Sequence, residues 1–134
     1  MSTHCGIAIK TKEGYKTIYC HHDGYPEYMW EMLTENYNSE ELATKLVSFG
    51  DASSIDKKLE PSGSTNSFDK SSTTHSFDNP EDDVCIFYHR DRNEDWSDVA
   101  PEHYTLRQLV KDFYHSYAWY DGCWHYYKGG LEIY

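Results

Sequence analysis

Cys20-His21-His22-Asp23-Gly24-Tyr25-Pro26-Glu27-Tyr28 is the stretch on which the reading of this chain turns. Residues 15–20 ahead of it read as a strand that ends at the cysteine. Pro26 suits the first turn of a helix, where its missing N–H costs nothing. Between strand and helix sit two imidazoles, a carboxylate and a glycine that permits a sharp turn. Polar groups on a loop held between rigid elements are a common place for a site.

Upstream, residues 5–10 and 15–20 form two alternating strands, with Thr11-Lys12-Glu13-Gly14 as a four-residue hairpin loop. Ile7 and Ile9 share one face, as do Ile18 and Cys20, which places Tyr19 and His21 on the opposite face. Downstream, Met29, Leu33 and Tyr37 recur every four residues, and Glu27, Glu31 and Glu35 make a separate acidic stripe, so a helix of about three turns follows Pro26. Asn38 and Glu41 have the spacing of a capping box for a second helix with Leu42, Leu46 and Phe49 on its apolar face and Gly50 as its stop.

Residues 51–83 are polar and carry the repeat Ser67-Phe68-Asp69 and Ser76-Phe77-Asp78. A loop this long in a small domain is functional or mobile, and Phe68 and Phe77 are expected to pin it. Val84-Cys85-Ile86-Phe87-Tyr88 reads as a continuous apolar, central strand. It runs into His89-Arg90-Asp91-Arg92 and an acidic loop to Glu102. Thr105 and Gln108 form a capping box for a third helix on Leu106, Leu109, Val110, Phe113 and Tyr117. Asp121-Gly122 between aromatic β-formers signals a two-residue hairpin. The expected fold is therefore α+β, a single domain over residues 1–134, with an antiparallel sheet of about five strands and two or three helices packed on one face. Strands and helices do not alternate as a doubly wound fold requires.

Composition narrows the function. Among 134 residues, 16% are aromatic and 13 are Tyr, so rings must build much of the core or a contact surface. The net charge is −11, and residues 51–103 alone hold 13 acidic against 5 basic side chains. Direct nucleic-acid binding is not expected, because it draws on Lys and Arg to displace counterions. Solvated acidic loops or a basic partner are the two readings of the charge. The N-terminus lacks an apolar leader, and no run approaches the ~18 apolar residues of a membrane span, so no membrane association is expected. The four widely spaced cysteines read as small buried hydrophobes.

Two charged clusters lie past strand ends: His21, His22 and Asp23, and His89, Arg90, Asp91 and Arg92. Parallel neighbouring strands, or offset antiparallel ones bridged by a loop, would bring them into one pocket. There His21 could act as general base with Asp23 as its orienter, and Arg90 or Arg92 could hold an anion. The alternative is an Arg–Asp network tying loops together. The close His and Cys pairs, Cys20/His21/His22, Cys85/His89 and Cys123/His125, match no zinc spacing, so neither a metal nor any other cofactor is expected. No nucleophile elbow, phosphate loop or H-E-x-x-H occurs.

The order of motifs resembles a family of small phage- and prophage-encoded proteins of uncharacterised function. The residues that carry the resemblance are Cys20-His21-His22-Asp23-Gly24-Tyr25, Gly50-Asp51-Ala52-Ser53-Ser54, His75-Ser76-Phe77-Asp78, Arg90-Asp91-Arg92 and the aromatic hairpin over residues 119–127. Typical members carry Trp at the position of His22 and Gly at that of His89. The resemblance implies a phage origin and residence in the host cytoplasm, and no reaction. It favours a non-enzymatic accessory protein that binds a host component, with an antagonist of host antiviral defence as one form. A host protein would meet the acidic surface, Glu27, Glu31 and Glu35 together with Glu81, Asp82 and Asp83. A small nucleotide signal would instead be sequestered by Tyr25, Arg90 and Arg92, beside His21, Asp23 and Asp91. The alternative is a small hydrolase or transferase using His21 and Asp23 with Arg90 and Arg92 as anion clamp. A homo-oligomer stays open.

Overall fold

A computed structural model describes residues 3–62 and 75–134. The first hairpin organises the rest. Strand β1 (Cys5–Thr11) pairs antiparallel with β2 (Gly14–Cys20), from Cys5 opposite Cys20 to Thr11 opposite Gly14. Only Lys12 and Glu13 remain as the turn, so the ladder runs further than the expected loop allows. Helices α1 (Pro26–Asn36) and α2 (Glu40–Ser48) follow, and then β3 (Ala52–Ser54), which lies parallel to the end of β2. Strand β4 (Ile86–Phe87) pairs with β3 and leads directly into a short helix, α3 (Tyr88–Arg92). After α4 (Trp96–Val99), β5 (Glu102–Tyr104) takes the other half of the β2 edge, opposite residues 15–17. Helix α5 (Leu106–Asp112) precedes β6 (His115–Tyr120), β7 (Cys123–Lys128) and β8 (Leu131–Glu132).

The result is an α+β fold with one eight-stranded sheet in the order β4-β3-β2-β1-β6-β7-β8, with β5 beside β2. It is mixed, because β6 lies parallel to β1, and β3 parallel to β2. The sheet thus exceeds the expected five antiparallel strands. The additions are short and polar (Ala52-Ser53-Ser54, Glu102-His103-Tyr104), so their β-character comes from pairing with β2 rather than from their own side chains. The apolar run 84–88 is not central. Its strand is two residues long at the sheet edge, and its apolarity reflects burial of Cys85 and Phe87 beneath the sheet.

Helices cover both faces, not one. On the first face Ile7, Ile9, Ile18, Cys20, Tyr117, Trp119, Trp124 and Tyr126 meet Met29 and Leu33 of α1 and Ala43, Leu46 and Val47 of α2. On the second, Ala8 and Ala118 receive Leu109 of α5, ringed by Tyr15, Tyr104, Phe113 and Tyr120. Small residues are needed there: a Cβ at Gly6 would lie 2.6 Å from the Phe113 ring. The second helix is capped by Ser39, whose side chain accepts from Leu42 N–H, and not by Asn38. Of the expected apolar face Leu46 and Phe49 are buried, but Leu42 is 40% exposed, and Ala43 and Val47 point inward with Leu46. Helix α5 has the expected Thr105–Gln108 box but ends at Asp112, so Tyr117 belongs to a strand.

Burying so many tyrosines is tolerable because each buried ring tip finds a polar partner, for three of them a backbone carbonyl. The hydroxyls of Tyr28, Tyr37 and Tyr117 donate to Ile55 O, Asp56 O and Gly24 O, and Trp124 Nε1 donates to Tyr37 O. Among the described residues no buried side-chain nitrogen or oxygen lacks a partner. Cys5, Cys20 and Cys85 are buried free thiols, whereas Cys123 is exposed. No helix among the described residues is long and apolar enough to cross a membrane. Phe68 and its tripeptide lie outside the described residues. Phe77 does pin the body, with its ring 6.2 Å from that of Tyr88.

Candidate functional site

The junction after β2 is built by backbone first. His21 and His22 donate their N–H groups to Ala52 O and Ser53 O, so the chain stays beside β3 for two more residues. Asp23 then takes the left-handed conformation at φ 59°, which Asp tolerates better than most residues. Gly24 serves a different need from the sharp turn expected of it. Its N–H donates to Thr3 O, and a Cβ there would lie 2.7 Å from Cys5 Cβ and 2.8 Å from His4 backbone. The junction is therefore pressed against the start of β1.

That contact creates a cluster the sequence reading did not contain. Extending the hairpin register one step beyond Cys5 and Cys20 sets His4 opposite His21. Their rings lie 4.6 Å apart, and His22 sits edge-on to His21 at 4.5 Å. Hydrogen bonds fix the proton positions. His4 Nδ1 lies 2.9 Å from His21 O, and a carbonyl only accepts, so that nitrogen carries the proton. Tyr19 Oη, 2.9 Å from the same nitrogen, is then an acceptor, and its own proton goes to His21 Nδ1 at 2.6 Å. His21 is held as a neutral acceptor. Burial, then the neighbouring His22 and His4, lower its pKa from the ordinary imidazole value, which agrees.

The His4–Tyr19 edge of this cluster forms one wall of a cleft of about 410 Å3 whose other wall is Asp112, Phe113, Tyr114 and His115. His115 Nδ1 lies 2.6 Å from Tyr126 Oη, and burial followed by Lys128 lowers the pKa of His115. His4, Tyr19, Asp112 and His115 were all missed. The register of the first hairpin was enough to find His4 and Tyr19. The parallel β1–β6 pairing that delivers His115 leaves no local signal.

Asp23 does not orient His21, whose Nδ1 is occupied by Tyr19. Its carboxylate stands instead beside Tyr25, where its charge and hydrogen bond raise the phenol pKa. Tyr25 is 37% exposed at the start of α1. The hydrolase arrangement of His21 with Asp23 is therefore not formed.

Arg90 and Asp91, expected among the ligand- or partner-binding residues, are both buried. Arg90 Nε and Nη2 reach the two carboxylate oxygens of Asp91 at 2.9 and 3.1 Å. Arg90 also donates to Leu59 O and Cys85 O and lies between the rings of Phe49 and Phe87 at 5.3 and 5.1 Å. Asp91 Oδ2 accepts from Phe87 N–H, and His75 Nε2 stands 3.3 Å from it. His75 Nδ1 accepts from Glu81 N–H, so its proton is on Nε2, toward Cys85 O and Asp91. This is the loop-tying network, drawn into the core. The two charged clusters do not form one pocket. Phe87 lies level with Cys20 across β3, but β2 and β4 run in opposite directions, so the segments after them diverge. Arg92 alone stays outside, 4.6 Å over the Phe77 ring and 3.5 Å from Glu94.

The acidic residues divide similarly. Glu81 accepts from Ser62 N–H and Oγ, which lowers its pKa, so it holds a loop, while Asp82 and Asp83 are exposed. Glu27, Glu31 and Glu35 are all exposed and line a groove of about 190 Å3 with Tyr28, Met32, Asn36 and Lys57. None of the three makes an ion pair among the described residues. No three His, Cys, Asp or Glu side chains among the described residues are placed to hold a metal ion. Compared with protein-family models, curated proteins and solved structures, the chain matches none.

Proposed function

We propose that this protein is a non-enzymatic binding protein that engages a basic host protein through the acidic face of α1. The observation that carries the reading is the row Glu27, Glu31 and Glu35, exposed and without salt bridges among the described residues, along a groove floored by Tyr28 and Met32. Carboxylates left unpaired attract a cationic partner and steer its approach, and the ring and thioether supply contact area. With the phage origin that the motif resemblance implies, the partner is a host component in the host cytoplasm. A nucleic-acid-binding subunit of a defence system has the required basic groove, and its blockade is the outcome we infer.

The sequestering version loses support with Arg90, whose guanidinium is committed inside the core. The hydrolase version loses support with Tyr19 on His21 Nδ1. The test is affinity purification from host extract with wild type and with the triple variant E27Q/E31Q/E35Q, followed by titration of the recovered protein against both. Charge pairs of about 0.2–1 kcal/mol each predict a loss of affinity of roughly three- to a hundredfold, shrinking as salt is raised. Equal affinity of both forms for every recovered protein would remove the acidic face from the function.

A further inference from the structure

The tip of the C-terminal hairpin holds a cluster of reactive side chains remote from the acidic groove in sequence and in role. Cys123 is exposed, and its Sγ lies 3.4 Å from His125 Nε2. The two-residue spacing in β7 puts them on one face of the strand. On the other side of the ring, His125 Nδ1 stands 3.6 Å from Glu132 Oε2 on β8. The Tyr120 ring lies against the imidazole at 3.7 Å and 8°, and Tyr120 O is 3.1 Å from Nε2. Thiol and carboxylate thus address opposite nitrogens of one ring. That is a linear order of nucleophile, hydrogen-bond donor and orienter, and not the convergence a metal ion needs. The Tyr120 carbonyl adds a direction. It only accepts, so Nε2 carries the ring proton, as Nδ1 does at His4, and that N–H also lies within reach of Cys123 Sγ.

We propose that Cys123 is a modification site, a thiol activated by His125 for exchange with low-molecular-weight disulfides. The thiol proton leaves to water, and the Nε2–H donates to the sulfur that remains. The sulfur attacks one sulfur of the small disulfide, one S–S bond forms as another breaks, and the departing thiolate takes a proton from water. The protein thiol is oxidised to a mixed disulfide and the small disulfide is reduced, so no further oxidant enters. Glu132 and Tyr120 position the ring. Access is open, since a Cβ at Gly122 would meet nothing within 4 Å. The remaining cysteines are enclosed, and burial pushes the Cys85 thiol up to about 12 and raises Cys5 well above its usual value.

The experiment incubates the full chain with glutathione disulfide between pH 6 and 9 and follows adduct formation by intact mass and peptide mapping. One adduct is expected, on Cys123 and absent from C123S. At pH 6.5 the wild-type rate should exceed those of H125Q and of N-acetylcysteine by about tenfold or more, the effect of one hydrogen bond donated to a charged sulfur. The gap should narrow above ~8.5, where an unassisted thiol ionises by itself. E132Q, which leaves the Cys123–His125 pair in place, should fall between wild type and H125Q. Should H125Q fail to fold, the comparison with N-acetylcysteine and the E132Q rate decide. An adduct on a buried cysteine, no adduct, or a wild-type rate within threefold of N-acetylcysteine at pH 6.5 overturns the proposal.

Discussion

Replacing Asp91 by alanine tests whether Arg90-Asp91-Arg92 is an internal joint. In the folded protein Arg90 is 3% and Asp91 2% exposed, and the carboxylate accepts two bonds from the guanidinium and one from Phe87 N–H. D91A leaves the guanidinium enclosed by Phe49 and Phe87 without its carboxylate partner, and deprives the Phe87 amide of its acceptor. Removing one member of a buried pair costs about 3–5 kcal/mol, a large share of the roughly 5–15 kcal/mol that holds a domain folded. For a chain of this size that corresponds to a fall in Tm of about 10–20 °C. The assay is urea and thermal unfolding followed by circular dichroism. R92A, beside it on the exposed side, should cost about 0–1 kcal/mol. The double variant R90M/D91L, which removes both charges and keeps apolar volume, should recover part of the loss. A D91A protein within about 1 kcal/mol of wild type would refute the reasoning, because the two charges would then have to be hydrated.

Other expectations concern the junction and its neighbours. G24A forces a Cβ against Cys5 and His4 and should cost about 1–3 kcal/mol, whereas D23G, at φ 59°, should be close to neutral in the same denaturation assay. Asp51 accepts from Tyr19 N–H, yet burial carries its pKa up to about 6, above the ~3.9 of an unfolded chain. The folded state therefore binds this proton more tightly, and stability is lost as pH rises from about 4 through 6. D51N should gain stability relative to wild type across that interval, seen as a Tm difference that grows with pH. H22Q should raise the His21 pKa toward the usual imidazole value in an NMR titration, since the His22 charge is one of its depressing causes.

Much of this architecture was legible where the pattern is local. Alternation in residues 5–10 and 15–20 set Ile7 with Ile9 on one face and Tyr19 with His21 opposite Ile18 and Cys20, and this holds. Pro26 starts α1, and Asp121-Gly122, both at positive φ, close the last hairpin. What was not legible depends on partners distant in sequence. Residues 52–54 and 102–104 become strands because β2 offers them an edge, and β6 joins β1 in parallel from more than a hundred residues away. The burial of Arg90 was hidden for a related reason. Charge implies exposure only until a neighbour neutralises it, and the neighbours of Arg90, namely Phe49, Leu59 and Cys85, come from three separate segments.

The tyrosine-rich interior has a kinetic consequence. Tyr28, Tyr37 and Tyr117 each extend from the core to grip a loop carbonyl, at Ile55, Asp56 and Gly24. A loop gripped in this way cannot peel off without either stranding a hydroxyl in the interior or drawing the ring out after it. Local fraying is thereby suppressed, and amide exchange around residues 24 and 55–56 should follow opening of the core itself. An aliphatic core of equal volume would hold the same layers together and leave those loops free to breathe.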